Sequence, residues 1–127
     1  ADVPEDEEWM SFADILRQCY SRIEEMIGST HKPIAILELG IAEDPDDAQF
    51  KGNWIEAAYN SVGPNGDFSR VKAMSWWHEN WTEYTKDGKK KEYELQIDTS
   101  KHSSDKYIEA VSSYDEFTTD YQVSENF

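Results

Sequence analysis

The chain has 127 residues, with 27 Asp and Glu against 12 Lys and Arg, and a formal net charge of -15. That balance argues against nucleic acid or an anionic membrane as partner, since both are polyanions and repel it, and it suits a neutral ligand. Five Trp, seven Tyr and five Phe exclude a disordered acidic segment, and the length is enough for one domain with a modest core.

Residues 1–10 are an acidic lead-in, ADVPEDEEWM, without the basic and apolar character of a signal peptide. No stretch approaches the roughly 18 apolar residues of a membrane span. Ser11 reads as an N-cap with Asp14 three residues on. Phe12, Ile15, Leu16, Cys19, Ile23, Met26 and Ile27 follow at helical spacing until Gly28. Cys19 is the sole cysteine. It cannot form an internal disulfide, and its place in this pattern predicts a buried small hydrophobe.

KPIAILELG, residues 32–40, predicts a fully buried strand of a parallel sheet over Ile34 to Leu39. Glu38 stands near its carboxyl end, where a carboxylate is costly to bury. In barrel and open α/β folds, that end is where chemistry is done. The loop IAEDPDD follows, and its Asp44, Asp46 and Asp47 lack the ordered spacing of a calcium site. A second helix is expected over Ala48 to Val62, with Trp54, Ala57, Ala58 and Val62 on one face. The turn Gly63-Pro64-Asn65-Gly66 leads to a second buried strand, Val71 to Trp77.

Residues 78–96 are polar and carry KDGKKK, the mark of a hairpin tip or a long excursion. A third helix is expected over Ser103 to Ser113, with Tyr107, Ile108, Val111 and Tyr114 inward, and residues 118–127 as a surface tail. Asn80-Trp81-Thr82 fits the N-glycosylation pattern, a signal common by chance. Alternating helices and strands with short links imply parallel strands. Two such strands leave edges unpaired and apolar faces open, so either a partner completes the sheet or, the favoured reading, the chain is part of a larger α/β protein.

Five blocks in order resemble the carboxyl-terminal part of glycoside hydrolase family 26, the retaining β-mannanases and related β-glycanases. WMSFADIL…CYSRI is similar to the sixth helix of that family's (β/α)8 barrel, and KPIAILELG to its seventh strand. KGNWIEAAY is similar to the seventh helix, VKAMSWWHENW to the eighth strand with its loop, and LQIDTS to the entry of the last helix. The resemblance covers residues 9 to 117. It implies an α/β fold that is the C-terminal portion of a TIM barrel, from helix 6 to helix 8, with residues 1–127 as part of one catalytic domain. A whole barrel takes about 250 residues. The missing strands would come from the same or a separate polypeptide.

Glu38 falls on the family's catalytic nucleophile, which the resemblance places at the end of the seventh strand. Read from spacing alone it is a surface or salt-bridged carboxylate. Trp76 matches a tryptophan lining the family's sugar-binding centre, where an indole gives a sugar ring an apolar face and a hydroxyl an N–H donor. Neighbouring strand residues point to opposite sides, so one of Trp76 and Trp77 is expected in the core. His78, Glu79, Asn80 and Trp81 are candidates for further sugar subsites. His31, before the strand, reads as structural, and His102 as exposed.

Retaining hydrolysis needs a second carboxyl group about 5–5.5 Å from the nucleophile. The family carries it after a His at the end of the fourth strand, outside this chain. The resemblance thus implies part of a secreted, extracellular or periplasmic endo-glycosidase that needs no metal or cofactor. Its substrate would be a β-linked polysaccharide, with β-1,4-mannan first and mixed-linkage β-glucan next. A non-catalytic carbohydrate-binding or interaction protein is the alternative from another class.

Overall fold

The computed structural model describes residues 9–28 and 31–113. Helix α1 covers Phe12–Ile27, and the Ser11 side chain accepts from the Asp14 amide, as the cap pattern requires. Strand β1 is Ile34–Leu39, helix α2 Phe50–Val62 and strand β2 Val71–Trp76. Strands β3, Trp81–Tyr84, and β4, Lys90–Tyr93, form an antiparallel hairpin. Its tip turns through Gly88, whose φ of 78° favours a residue without a Cβ. A 3₁₀ turn, Ile97–Thr99, leads into helix α3, Lys101–Ser112, which Ser100 caps through the Ser103 amide.

β1 and β2 pair in parallel as a two-stranded sheet. Both α1 and α2 pack on one face of it. Phe12, Leu16 and Tyr20 of α1 meet Trp54, Ala58 and Val62 of α2, together with Phe68 and Val71, and Ile34, Ile36, Leu39 and Met74 close the cluster from the sheet. Ile55 and Tyr59 join α2 to Ala110 of α3, with Tyr107 and Val111 at the margin. α2 and α3 approach closely at Gly52: a Cβ there would lie 2.4 Å from Cδ2 of His102. The His102 ring is therefore packed rather than free, and its Nε2 lies 3.2 Å from Asn53 Oδ1.

No element among the described residues covers the opposite face of the sheet. β1 was expected to be fully buried, yet its residues alternate between half-buried and exposed, and Leu37 is 77% exposed. The reason is that only one face carries helices and no further strand flanks the pair among the described residues. Ala73 and Ser75 of β2 are exposed for the same reason. Helix α1 divides similarly. Its Phe12–Leu16–Tyr20 face is buried, whereas Ile15, Cys19 and Met26 are exposed. Cys19 is thus not the buried residue expected from spacing, because no element among the described residues covers that part of the apolar stripe.

Other expectations shift by a fraction of a turn. α2 begins at Phe50 rather than Ala48, and Ala57 is exposed. α3 begins two residues before the expected Ser103 and buries Ser103 and Ala110, leaving Ile108 59% exposed. Tyr114 and the expected tail at 118–127 lie outside the described residues.

Candidate functional site

The bulge in β1 sets the site. Ile36 pairs with Met74 and Leu39 with Trp76, so Leu37 and Glu38 together oppose the single residue Ser75. An extra residue of this kind bends a strand and re-aims its side chains, and such bulges gather next to active sites. Both residues are exposed. Glu38 makes no hydrogen bond or ion pair with the described residues, so its carboxylate is available to a ligand.

Strand alternation then separates the two tryptophans. Trp76 faces the helices: its ring packs edge-on against Trp54 at 6.4 Å, and its Nε1 donates to the Leu95 carbonyl at 2.7 Å. The expectation that Trp76 offers its face to a sugar meets a side chain already engaged in the core. Trp77 continues the ladder by donating its amide to Leu39 O at 2.7 Å, and lies beside Gly40, two residues beyond Glu38. The Trp77 ring meets Trp81 edge-on at 5.9 Å, and Trp81 remains 49% exposed. Nε1 of Trp77 is buried and has no acceptor among the described residues. An orphaned donor costs about 1–3 kcal/mol, a penalty that an added acceptor would relieve.

The loop after β2 is held rather than free. His78 Nδ1 accepts the Ile97 amide at 3.1 Å, which places the proton of the neutral ring on Nε2, 3.6 Å from Asp98 Oδ1. Asn80 exchanges two bonds with Gln96: its Oδ1 accepts the Gln96 amide, and its Nδ2 donates to Oε1. Glu79 is exposed, with no hydrogen bond or ion pair to the described residues. Of the expected site residues, Trp77 and Trp81 therefore form one corner at the end of β2, and Glu38 stands two residues before Gly40, which Trp77 approaches. His78 and Asn80 tie the loop after β2 down, and Trp76 belongs to the core.

Sequence reasoning passed over Lys51. Its side chain is fully buried, and Nζ donates to Glu94 O at 2.8 Å, Gln96 O at 2.6 Å and Thr99 Oγ1 at 2.8 Å. Glu43 Oε1 lies 3.7 Å from Nζ and accepts from Thr99 Oγ1 at 2.6 Å. Burial pushes the Lys51 ammonium below its ordinary value, opposed by the charges of Glu43, Glu94 and Asp98. A signal existed: Lys51 stands three and four residues before Trp54 and Ile55, on the buried side of its helix.

The amino-acid sequence is similar to part of one curated protein. The chain is 33% identical over 104 residues to Endoglucanase H of Acetivibrio thermocellus. That stretch is 82% of this chain and 9% of the relative. The likeness is thus to a small part of a glycoside hydrolase. No protein-family profile and no solved structure matches the chain.

Proposed function

We propose that the chain is the C-terminal part of the catalytic barrel of a retaining endo-β-glycanase of glycoside hydrolase family 26, with Glu38 as nucleophile. One observation carries the reading: an exposed carboxylate with no bond to the described residues, on a bulge at the carboxyl end of a parallel strand whose neighbour leads into the Trp77–Trp81 corner. The open face, with Leu37, Ala73 and Ser75 exposed, supports completion by further strands. The secreted setting is part of the same proposal.

The chemistry follows from one carboxylate with a partner from the rest of the barrel. A Glu38 oxygen attacks the anomeric carbon as the glycosidic C–O bond breaks, and the second carboxyl group protonates the leaving oxygen. The resulting ester is opened by water, whose proton goes to that second group, with net retention. Trp77 and Trp81 offer the apolar surface on which sugar rings pack. The relative's name, an endoglucanase, supports testing β-glucan alongside β-1,4-mannan as substrate.

Hydrolysis of mixed-linkage glucan and mannan by the complete polypeptide tests this. Glu38→Ala should lower turnover about 10⁴-fold with oligosaccharide binding retained, and azide should restore part of it by attacking from the face Glu38 occupied, giving a glycosyl azide of inverted configuration, whereas a retained azide would make Glu38 the acid/base instead. Unchanged turnover in Glu38→Ala would overturn the assignment. Oligosaccharide binding without turnover by the complete wild-type protein would favour a binding role instead.

A further inference from the structure

We infer that Lys51 is a positioning residue for this site, clamping together the loop that leaves β1 and the segment that holds the loop leaving β2. The inference rests on the glycosidase reading above and adds a residue that touches neither sugar nor Glu38.

Lys51 has three N–H donors, and all three are used inward. Two go to the carbonyls of Glu94 and Gln96 and one to Thr99 Oγ1. Glu43, in the loop five residues beyond Glu38, closes the cluster through Thr99 and through the ammonium itself. The same residues 95–97 then reach the other side of the site. Leu95 O accepts the Trp76 indole, Gln96 bonds Asn80, and the Ile97 amide bonds His78. A single buried charge thereby fixes two loops that leave adjacent strands at the carboxyl end, one following Glu38 and the other running from Trp77 to Trp81. A buried ammonium is costly unless its partners are in place. Its hydrogen-bonding geometry therefore disfavours other loop positions. Displacement of reacting groups by about 1 Å can cost on the order of 100-fold in rate.

The test uses the complete enzyme. Lys51→Met keeps the stem and removes the ammonium, Lys51→Arg keeps the charge, and Thr99→Val is a milder cut should Lys51→Met fail to fold. Two quantities are read at a temperature where melting curves show the variants folded: steady-state kinetics on soluble β-glucan, and amide exchange at Gln96 and Ile97 against Ile55 and Ala58. Thr99→Val should lower kcat by about 10-fold or more, change KM by less than about threefold, and speed exchange at Gln96 and Ile97 alone. Lys51→Met should do the same more strongly, with Lys51→Arg recovering part of kcat. Loosened exchange with kcat within twofold of wild type would make the cluster purely structural and overturn the inference. So would unaltered exchange. Wild-type enzyme inactive on both glucan and mannan would instead remove the glycosidase reading, and the inference with it.

Discussion

Glu38 and Lys51 treat charge in opposite ways. Glu38 is exposed and makes no bond to the described residues, whereas Lys51 is buried and its donors are saturated. The pH dependence of stability separates the two states of Lys51. Its folded pKa is lowered, chiefly by burial, against the facing carboxylates of Glu43, Glu94 and Asp98. Between that folded value and the ordinary lysine value the unfolded chain binds more protons, so stability gained at this group rises with pH. Urea denaturation of wild type and Lys51→Met across pH 8 to 10 should show the difference moving in favour of wild type as pH rises, the other charges being common to both. A flat difference would mean that Lys51 titrates normally. At Gly52 the issue is space: the missing Cβ is what lets His102 sit against α2. Gly52→Ala should destabilise by about 1–3 kcal/mol through overpacking, measured by the same denaturation.

At the scale of elements, local chemistry was legible and lateral context was not. The Ser11 cap, the Gly28 stop and the Asp87-Gly88 hairpin tip are properties of a few adjacent residues, and they stand where the sequence puts them. Asp87 shows how local such chemistry is: hydrogen bonds from Thr85 and then Lys89 hold its carboxyl below the usual range. The faces of the elements were less legible. Spacing put Ile15, Cys19 and Met26 on the apolar stripe of α1, but a stripe does not say which neighbour covers which half of it. The alternation that separates Trp76 from Trp77 was visible as a rule, while its phase depended on packing against Trp54. The bulge at Leu37 and Glu38 arises from pairing with Ser75 and leaves no local trace. Helix α2 carries the tightest core, and Ile55 is fully buried at the junction with α3. Ile55→Ala should cost about 2–5 kcal/mol of stability, readable as a lower denaturation midpoint. A loss under 1 kcal/mol would mean that α2 and α3 do not share this junction.

On the scale of the whole molecule, the exposed sheet face separates a complete small domain from a part of a larger one. Leu37 is 77% exposed at the middle of a strand whose other side lies against two helices. If the described residues were the whole folded unit, a charge there would meet water, and such surface substitutions change stability by less than about 0.5 kcal/mol. If further strands close over this face, the same charge would enter an apolar layer without a partner and cost several kcal/mol. Leu37→Asp in the complete polypeptide distinguishes the two. A loss of more than about 3 kcal/mol in urea denaturation, or failure to fold, would support the closed barrel and place Leu37 in its interior layer, one residue before the carboxylate assigned to attack. A stability within 0.5 kcal/mol of wild type would leave the face in water. The barrel reading would then fall, and with it the source of the second carboxyl group that retaining hydrolysis requires.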